Sequence, residues 1–158
     1  MSDQLTKHRS DLCNLLRRAY LSCLPLTEGT NKTLTYTSRV SCAYMPLDSP
    51  KMMEALLNLI VNALDAVSDN GSVQIILTKS NEQFVVSIID DGCGIAPKQL
   101  LTIFHPFTTT KPDGTGLGLP VAKRIIEGHG GHIRVSSAPN QGATFTFLLP
   151  CSFSSDKK

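Results

Sequence analysis

The sequence predicts an α/β two-layer sandwich, one mixed sheet with helices packed on a single face. Three observations carry that prediction. Segments of helical period are interleaved with short β-rich runs, in the order helix and strands, then strands and helices. The 158 residues, 41% of them hydrophobic, suit one domain able to bury a core and leave little room for a second. No window of about 18 apolar residues marks a membrane span.

Residues 1–10, MSDQLTKHRS, read as a linker or the tail of an upstream segment, and they lack the apolar centre of a secretory signal. Residues 11–150 read as the domain. Leu12, Leu15, Leu16, Ala19 and Cys23 fall at helical spacing, so 11–24 is a short amphipathic helix, stopped by Pro25. Segments 33–39 and 41–46, rich in Thr, Tyr and Val, read as strands. Ser49-Pro50 supplies a capping hydroxyl and a first-turn proline for a helix over 51–68. Val73–Lys79 and Phe84–Asp90 form a hairpin, and a short helix follows near Pro97–Ile103. Residues 108–118, rich in Thr and Gly, read as a mobile loop. Leu119–Glu127 is a helix closed by Gly128, Gly130 and Gly131, with Pro120 harmless in its first turn. His132–Ser137 and Ala143–Leu149 are the last strands, and 151–158 reads as a frayed tail. No internal repeat or low-complexity segment is present.

Composition removes several function classes. A net charge of +2, not gathered into a basic run, argues against disorder and against a strongly basic nucleic-acid binder. With no Trp and 6% aromatics there is no evident base-stacking platform. Cys13, Cys23, Cys42, Cys93 and Cys151 are odd in number and form no CxxC pair. They read as ordinary thiols in a reducing, cytoplasmic setting, without disulfide framework or zinc.

Four segments carry chemistry. On the 51–68 helix, Glu54, Asn58, Asn62 and Asp65 fall within an arc of roughly 80° on an otherwise apolar surface. Burying such groups unpaired costs about 1–3 kcal/mol each, so the stripe faces solvent or a polar ligand. Asn is a weak helix former, and two of them one turn apart point to carbonyl ligands over a plain solvated face. Asp90-Asp91-Gly92-Cys93-Gly94-Ile95 puts a carboxylate at a strand end beside a chain that can turn sharply. An ionised Asp is acceptor-only, suited to the amine of adenine and not to the carbonyl of guanine; alone, the segment also reads as an ordinary Asp-Gly turn. Gly114-Thr115-Gly116-Leu117-Gly118-Leu119 opens a helix and can aim backbone amides at phosphates, although it has neither dinucleotide nor P-loop spacing. Phe104-His105-Pro106-Phe107 precedes Thr108-Thr109-Thr110-Lys111. The two phenylalanines could pin the loop base to the core, and Lys111 could reach a terminal phosphate or sit as solvated surface.

Taken in order, Asn58-Leu-Ile-Val-Asn62-Ala, Asp90-x-Gly-x-Gly, Phe104-x-Pro-Phe107, Gly114-x-Gly-Leu-Gly-Leu and Gly142-Ala-Thr144-Phe145 resemble the five boxes of the catalytic ATP-binding domain of sensor histidine kinases, the Bergerat or GHKL type. They span residues 54–149. The stretch FTTTKPDGTGLGL looks most like the nitrogen-regulation subgroup. The resemblance implies a mixed five-stranded sheet with helices on one face, and ATP and Mg²⁺ as ligands. By that resemblance Asn62 would hold Mg²⁺ through its carbonyl, and Asn58 and Asp65 would line the ribose–phosphate side. Asp90 would accept the adenine amine, with Gly92, Gly94 and Ile95 shaping the base pocket. Lys111, with Thr109 and Thr110 nearby, would contact the terminal phosphate. Gly114, Thr115, Gly116, Leu117, Gly118 and Leu119 would wrap the phosphates, and Thr144 would support Asp90 through a hydroxyl or a water. Asn62 and Lys111 would be the catalytic pair.

Two positions depart from the family pattern. His105 stands where an acid usually precedes Pro-Phe, and Ala143 stands where Ser or Thr is also common. None of His8, His105, His129 and His132 shows the phosphoacceptor pattern, an HE pair on a dimerising hairpin. His129 and His132 read as solvated or capping. The acceptor is therefore expected on another segment, a histidine-bearing dimerisation domain, with a response regulator receiver downstream. The isolated chain is expected to be a monomer without nucleic-acid or membrane contact. Rival readings are an anti-sigma-type serine kinase, a clamp-type GHKL ATPase and a non-catalytic nucleotide module. Clamp ATPases carry a water-activating Glu where Asn58 stands. Glu54 lies another turn away, about 6 Å along the axis, so slow intrinsic hydrolysis is expected.

Overall fold

The computed structural model describes residues 4–107 and 118–151. Its elements in order are β1 (His8–Asp11), α1 (Leu12–Cys23), a 3₁₀ turn (Leu24–Thr27), β2 (Thr33–Ser38), β3 (Tyr44–Leu47), α2 (Ser49–Ala66), β4 (Ser72–Ser80), β5 (Gln83–Asp90), α3 (Pro97–Leu100), α4 (Gly118–Gly128), β6 (His132–Ser137) and β7 (Ala143–Pro150). The main sheet has five strands in the order β2-β4-β5-β7-β6; β2 runs parallel to β4 and the other pairs are antiparallel. This is the mixed five-stranded sheet of the two-layer α/β sandwich.

Strand alternation builds the core. Across β4, β5 and β7 the register stacks Ile75, Ile88 and Phe145 in one row and Leu77, Val86 and Phe147 in the next. All six are buried and share one face. Against that face α2 sets Met52, Leu56, Leu59 and Ile60, each fully buried. Each such side chain contributes about 1.5–3 kcal/mol. α1 and α4 add Leu12, Leu16, Ala122 and Ile126 to the same cluster. The opposite face of the sheet carries Gln74, Ile89 and Thr144 in one row and Ile76, Ser87 and Thr146 in the next, none of them buried.

Three expectations are corrected. Residues 8–10, read as linker, belong with Asp11 to a strand: β1 pairs antiparallel with β3 in a separate two-stranded sheet. The periodic signal there is four residues long, too short to read from sequence. The cap of α2 is Asp48, whose carboxylate accepts from Lys51 N–H at 3.2 Å; Ser49 is already helical, and Pro50 lies in the first turn. A carboxylate at this end also suits the helix dipole. His129 is buried and neither solvated nor a simple cap. Its Nε2 accepts from Asp48 N–H at 3.0 Å, which makes Nδ1 the protonated nitrogen, and this donates to the Ile125 carbonyl at 2.8 Å. His132 is exposed. The tail beyond Cys151 lies outside the described residues; Cys151 itself donates from its backbone to Glu82 at 2.9 Å.

No helix among the described residues is long and apolar enough to cross a membrane. All five cysteines are free.

Candidate functional site

α2 presents its polar stripe away from the core: Asn58 and Asn62 are half-buried, Glu54 and Asp65 exposed. The first turn of α4 lies opposite. Asn58 Nδ2 donates to the Gly118 carbonyl at 3.3 Å, so its carboxamide joins the two helices. Leu119 is half-buried beside Gly118.

The far end of α2 is tied to the segment after β5. Cys93 N–H donates to the Ala66 carbonyl at 3.2 Å. At Gly92 a Cβ would lie 2.3 Å from the Ala66 oxygen, a distance no side chain tolerates. Glycine here lets the strand exit lie directly on the helix end.

Asp90, the last residue of β5, has 5% of its surface exposed. Its Oδ1 accepts from Gly92 N–H at 2.9 Å, and the carboxylate also accepts a backbone hydrogen bond from Ala143. Burial pushes its pKa above the usual carboxylate range; the two N–H groups pull it down, and the neighbouring Asp91 charge adds a smaller upward push. Asp91 is turned away, accepting from Ser72 N–H at 2.8 Å and Ser72 Oγ at 3.1 Å. The polarised group at this strand end is therefore Asp90, an acceptor whose donors are already placed by the backbone.

Thr144 does not support Asp90. The register pairs Asp90 with Ala143 and Ile89 with Thr144, so Thr144 points to the open face of the sheet and Asp90 to the helix face. The support comes from the Ala143 backbone, which no side-chain pattern could have announced. Ile95 and Gly94 stay close: Ile95 N–H donates to Ser137 Oγ at 2.8 Å, and Ile95 packs against the core. Ser137 was not singled out by sequence, since a serine at a strand end carries no signal of its own.

Of the two phenylalanines one pins the loop base. Phe104 meets Phe145 edge-to-face at 6.3 Å, and Lys123 Nζ of α4 lies 5.6 Å from its ring centroid. Phe107 is 78% exposed and does not. The positions Thr109, Thr110, Lys111, Gly114, Thr115, Gly116 and Leu117 lie outside the described residues. What the described residues bring together is a half-buried carboxamide face, a buried carboxylate at one end of it, and a helix start facing it. This arrangement offers a carboxylate acceptor to an amine at one end and carboxamide oxygens and nitrogens along the helix face.

The chain belongs to the family described as histidine kinase-, DNA gyrase B-, and HSP90-like ATPase, whose model matches residues 47–152. Within it, the likeness is to catalytic domains of sensor histidine kinases. The sensor histidine kinase ZraS of Salmonella typhimurium is 35% identical over 94% of this chain and 36% of its own length. The nucleotide-free catalytic domain of histidine kinase ThkA superposes with a TM-score of 0.84 at 29% identity, covering 93% of this chain and 97% of that one. Full-length ShkA in complex with AMPPNP gives a TM-score of 0.86 at 26% identity over 98% of this chain and 33% of ShkA. The chain thus spans between about a fifth and a third of the length of the curated relatives it matches.

Proposed function

We propose that this domain binds MgATP and donates its terminal phosphoryl group to a histidine imidazole on another segment, as the catalytic part of a two-component sensor kinase working in the cytoplasm. The buried, backbone-anchored Asp90 carries the proposal. Its carboxylate accepts the exocyclic amine of adenine, and Gly92, Gly94 and Ile95 shape the wall of the base pocket. Asn58 and Asp65 line the ribose–phosphate side. Gly118 and Leu119, continuing the glycine run from Gly114, and Thr109, Thr110 and Lys111 serve the phosphates.

The donor set fits Mg²⁺ arriving on the nucleotide. Among the described residues there is no cluster of three or more His, Cys, Asp or Glu that could cage a metal. Mg²⁺ keeps several waters and takes few protein ligands, so the Asn62 carbonyl with phosphate oxygens suffices. When bound, the ion neutralises phosphate charge. The domain's residues hold the nucleotide in line with the incoming imidazole and exclude water. The imidazole lone pair forms the N–P bond as the bond to the bridging oxygen breaks and ADP leaves. The nucleophile and any group that orients it come from the acceptor segment, and a receiver domain takes the phosphoryl group afterwards. Asn58 cannot accept a proton from water, so hydrolysis by the domain alone is slow.

Calorimetric titration of MgATP into the parent, Asp90→Asn and Asn62→Ala tests this reading. Both variants should lose at least tenfold in affinity, and Asn62→Ala should also lose the gain that Mg²⁺ confers. Parent-like binding by both would overturn the site. Label transferred from ATP to a histidine-bearing segment should be acid-labile; acid-stable label would mean a serine kinase.

A further inference from the structure

The segment after β5 and the connection between β6 and β7 are joined along their length. Gly142 N–H donates to Gly92 O at 3.1 Å and Asn140 N–H to Cys93 O at 2.7 Å. Gly142 sits at φ +69, and a Cβ there would lie 2.0 Å from the Asp90 carbonyl oxygen, so the two backbones are in direct contact. One side-chain group joins this seam. The Ser137 hydroxyl accepts from Ile95 N–H at 2.8 Å and donates to Gly142 O at 2.6 Å. Both functions of the hydroxyl are used, each on a different loop.

The two loops so joined each supply one of the N–H groups that hold Asp90: Gly92 from the first and Ala143, next to Gly142, from the second. We infer that Ser137 is the positioning residue for base selection: by bridging Ile95 and Gly142 it keeps both N–H donors on Asp90, and so keeps that carboxylate acceptor-only and aimed to take the amine of adenine and refuse the carbonyl of guanine. This rests on the reading of Asp90 as the purine contact.

Without the hydroxyl, Ile95 N–H and Gly142 O lose their shared partner; the Gly142–Gly92 and Asn140–Cys93 backbone bonds remain, but the seam is held less firmly beside Asp90. The N–H donors of Gly92 and Ala143 are then less firmly aimed at the carboxylate. A carboxyl with looser donors rotates more freely and holds a proton more readily, and a protonated carboxyl can donate to a guanine carbonyl. Adenine loses and guanine gains. A hydrogen bond of this kind is worth about a tenfold change in an equilibrium.

The test measures dissociation constants of ADP and GDP, with Mg²⁺, for the parent, Ser137→Ala, Ser137→Thr and Asp90→Asn, with thermal unfolding run alongside. Ser137→Ala should weaken ADP about tenfold and narrow the ADP/GDP preference by about the same factor, and Ser137→Thr, which keeps a hydroxyl, should restore the preference. An unchanged preference in a folded Ser137→Ala, or equal weakening of both nucleotides, would overturn the inference. Should Ser137→Ala unfold, Ser137→Cys, close in size and weak as a donor, takes its place with the same two outcomes. Asp90→Asn separates the levels. If it binds ADP like the parent, the purine reading itself is wrong; if it loses ADP while Ser137→Ala keeps the preference, this inference alone falls.

Discussion

Acid should weaken this fold through one residue far from the nucleotide groove. His129 has 4% of its surface exposed and both ring nitrogens bonded, Nε2 as acceptor from Asp48 N–H and Nδ1 as donor to Ile125. Burial holds its pKa below the usual 6.5, against the upward pull of the Ile125 carbonyl; the Lys7 ammonium adds a smaller downward push and Asp48 a smaller upward one. A histidine depressed in the folded state binds its proton more readily when unfolded. Stability is therefore complete above about pH 6.5 and falls as pH drops toward the folded value, by at most about 1.4 kcal/mol per pH unit. Between pH 7.5 and 5.5 the loss assigned to His129 is at most about 1.4 kcal/mol, most of it below pH 6.5. Asp48 lies outside this window: its pKa is lowered from 3.8, chiefly by the Thr6 N–H, so its own loss begins further into acid. Asp90 works in the opposite direction, because its raised pKa makes protonation favour the folded state. Urea unfolding of the parent and His129→Gln at both pH values cancels the Asp90 contribution. The stability gap between them should shrink in acid, by at most about 1.4 kcal/mol. An unchanged gap would refute the role assigned to the buried imidazole.

Four further outcomes follow from the same contacts. Gly92→Ala forces a Cβ against the Ala66 carbonyl and should cost more than about 2 kcal/mol in urea unfolding, with nucleotide binding lost together with it. Asp90→Asn removes a charge that burial disfavours, so its melting temperature should not fall even though ADP affinity collapses; a large fall would show that the carboxylate is structural. Phe104→Ala empties the space beside Phe145 and should cost about 2–3 kcal/mol, whereas Phe107→Ala should stay within about 0.5 kcal/mol, both read by chemical denaturation. Thr144→Ala should bind ADP as the parent does, because its side chain lies on the sheet face opposite Asp90; weakened binding would contradict the register.

Periodicity made the elements legible wherever a face repeated often enough. α2 offers eighteen residues and β4, β5 and β7 eight or nine each, so their apolar sets were unmistakable. β1 has four residues, all of them polar or charged and two of them exposed, and its pairing with β3 is set by a partner some 35 positions away that local pattern does not reveal. The site divides along the same line. Asn58, Asn62 and Asp90 were legible because side-chain chemistry out of place on an apolar element is itself a signal. The donors to Asp90 were not, because Gly92 and Ala143 act through backbone N–H groups that every residue but proline owns. Thr144 was misassigned for a related reason: a hydroxyl next to the right glycine looks useful until pairing fixes which face it takes. Ser137 carried no signal and His129 read as solvated or capping because the partners that decide their roles are 42 and 81 residues away.

α2 explains why these scattered contacts act together. At its start Asp48 caps the helix, accepts from Thr6 N–H at 2.9 Å and donates its own N–H to His129, so the entering chain and the end of α4 meet on one residue. At its finish the Ala66 carbonyl receives Cys93 N–H and leaves no room for a side chain at Gly92. Between the two ends the Asn58 carboxamide reaches the start of α4. α4 is thus fastened to α2 near both of its termini, through Gly118 and through His129. Eleven residues at 1.5 Å each make it about 16.5 Å long. A helix held at both ends against a buried partner moves as one body with it. A displacement of residues 4–11, which touch Asp48 through Thr6, therefore has a mechanical route along two packed helices to Gly118, the last glycine of the run that starts at Gly114. Cutting that route at the His129–Asp48 bond should leave ADP affinity of the folded domain within about twofold while loosening the coupling. Hydrogen exchange of α4 amides in His129→Gln is the measurement. Faster exchange in the turn nearest His129, with the Gly118 turn unchanged, would mean that α4 frays locally and that the two fastenings act independently.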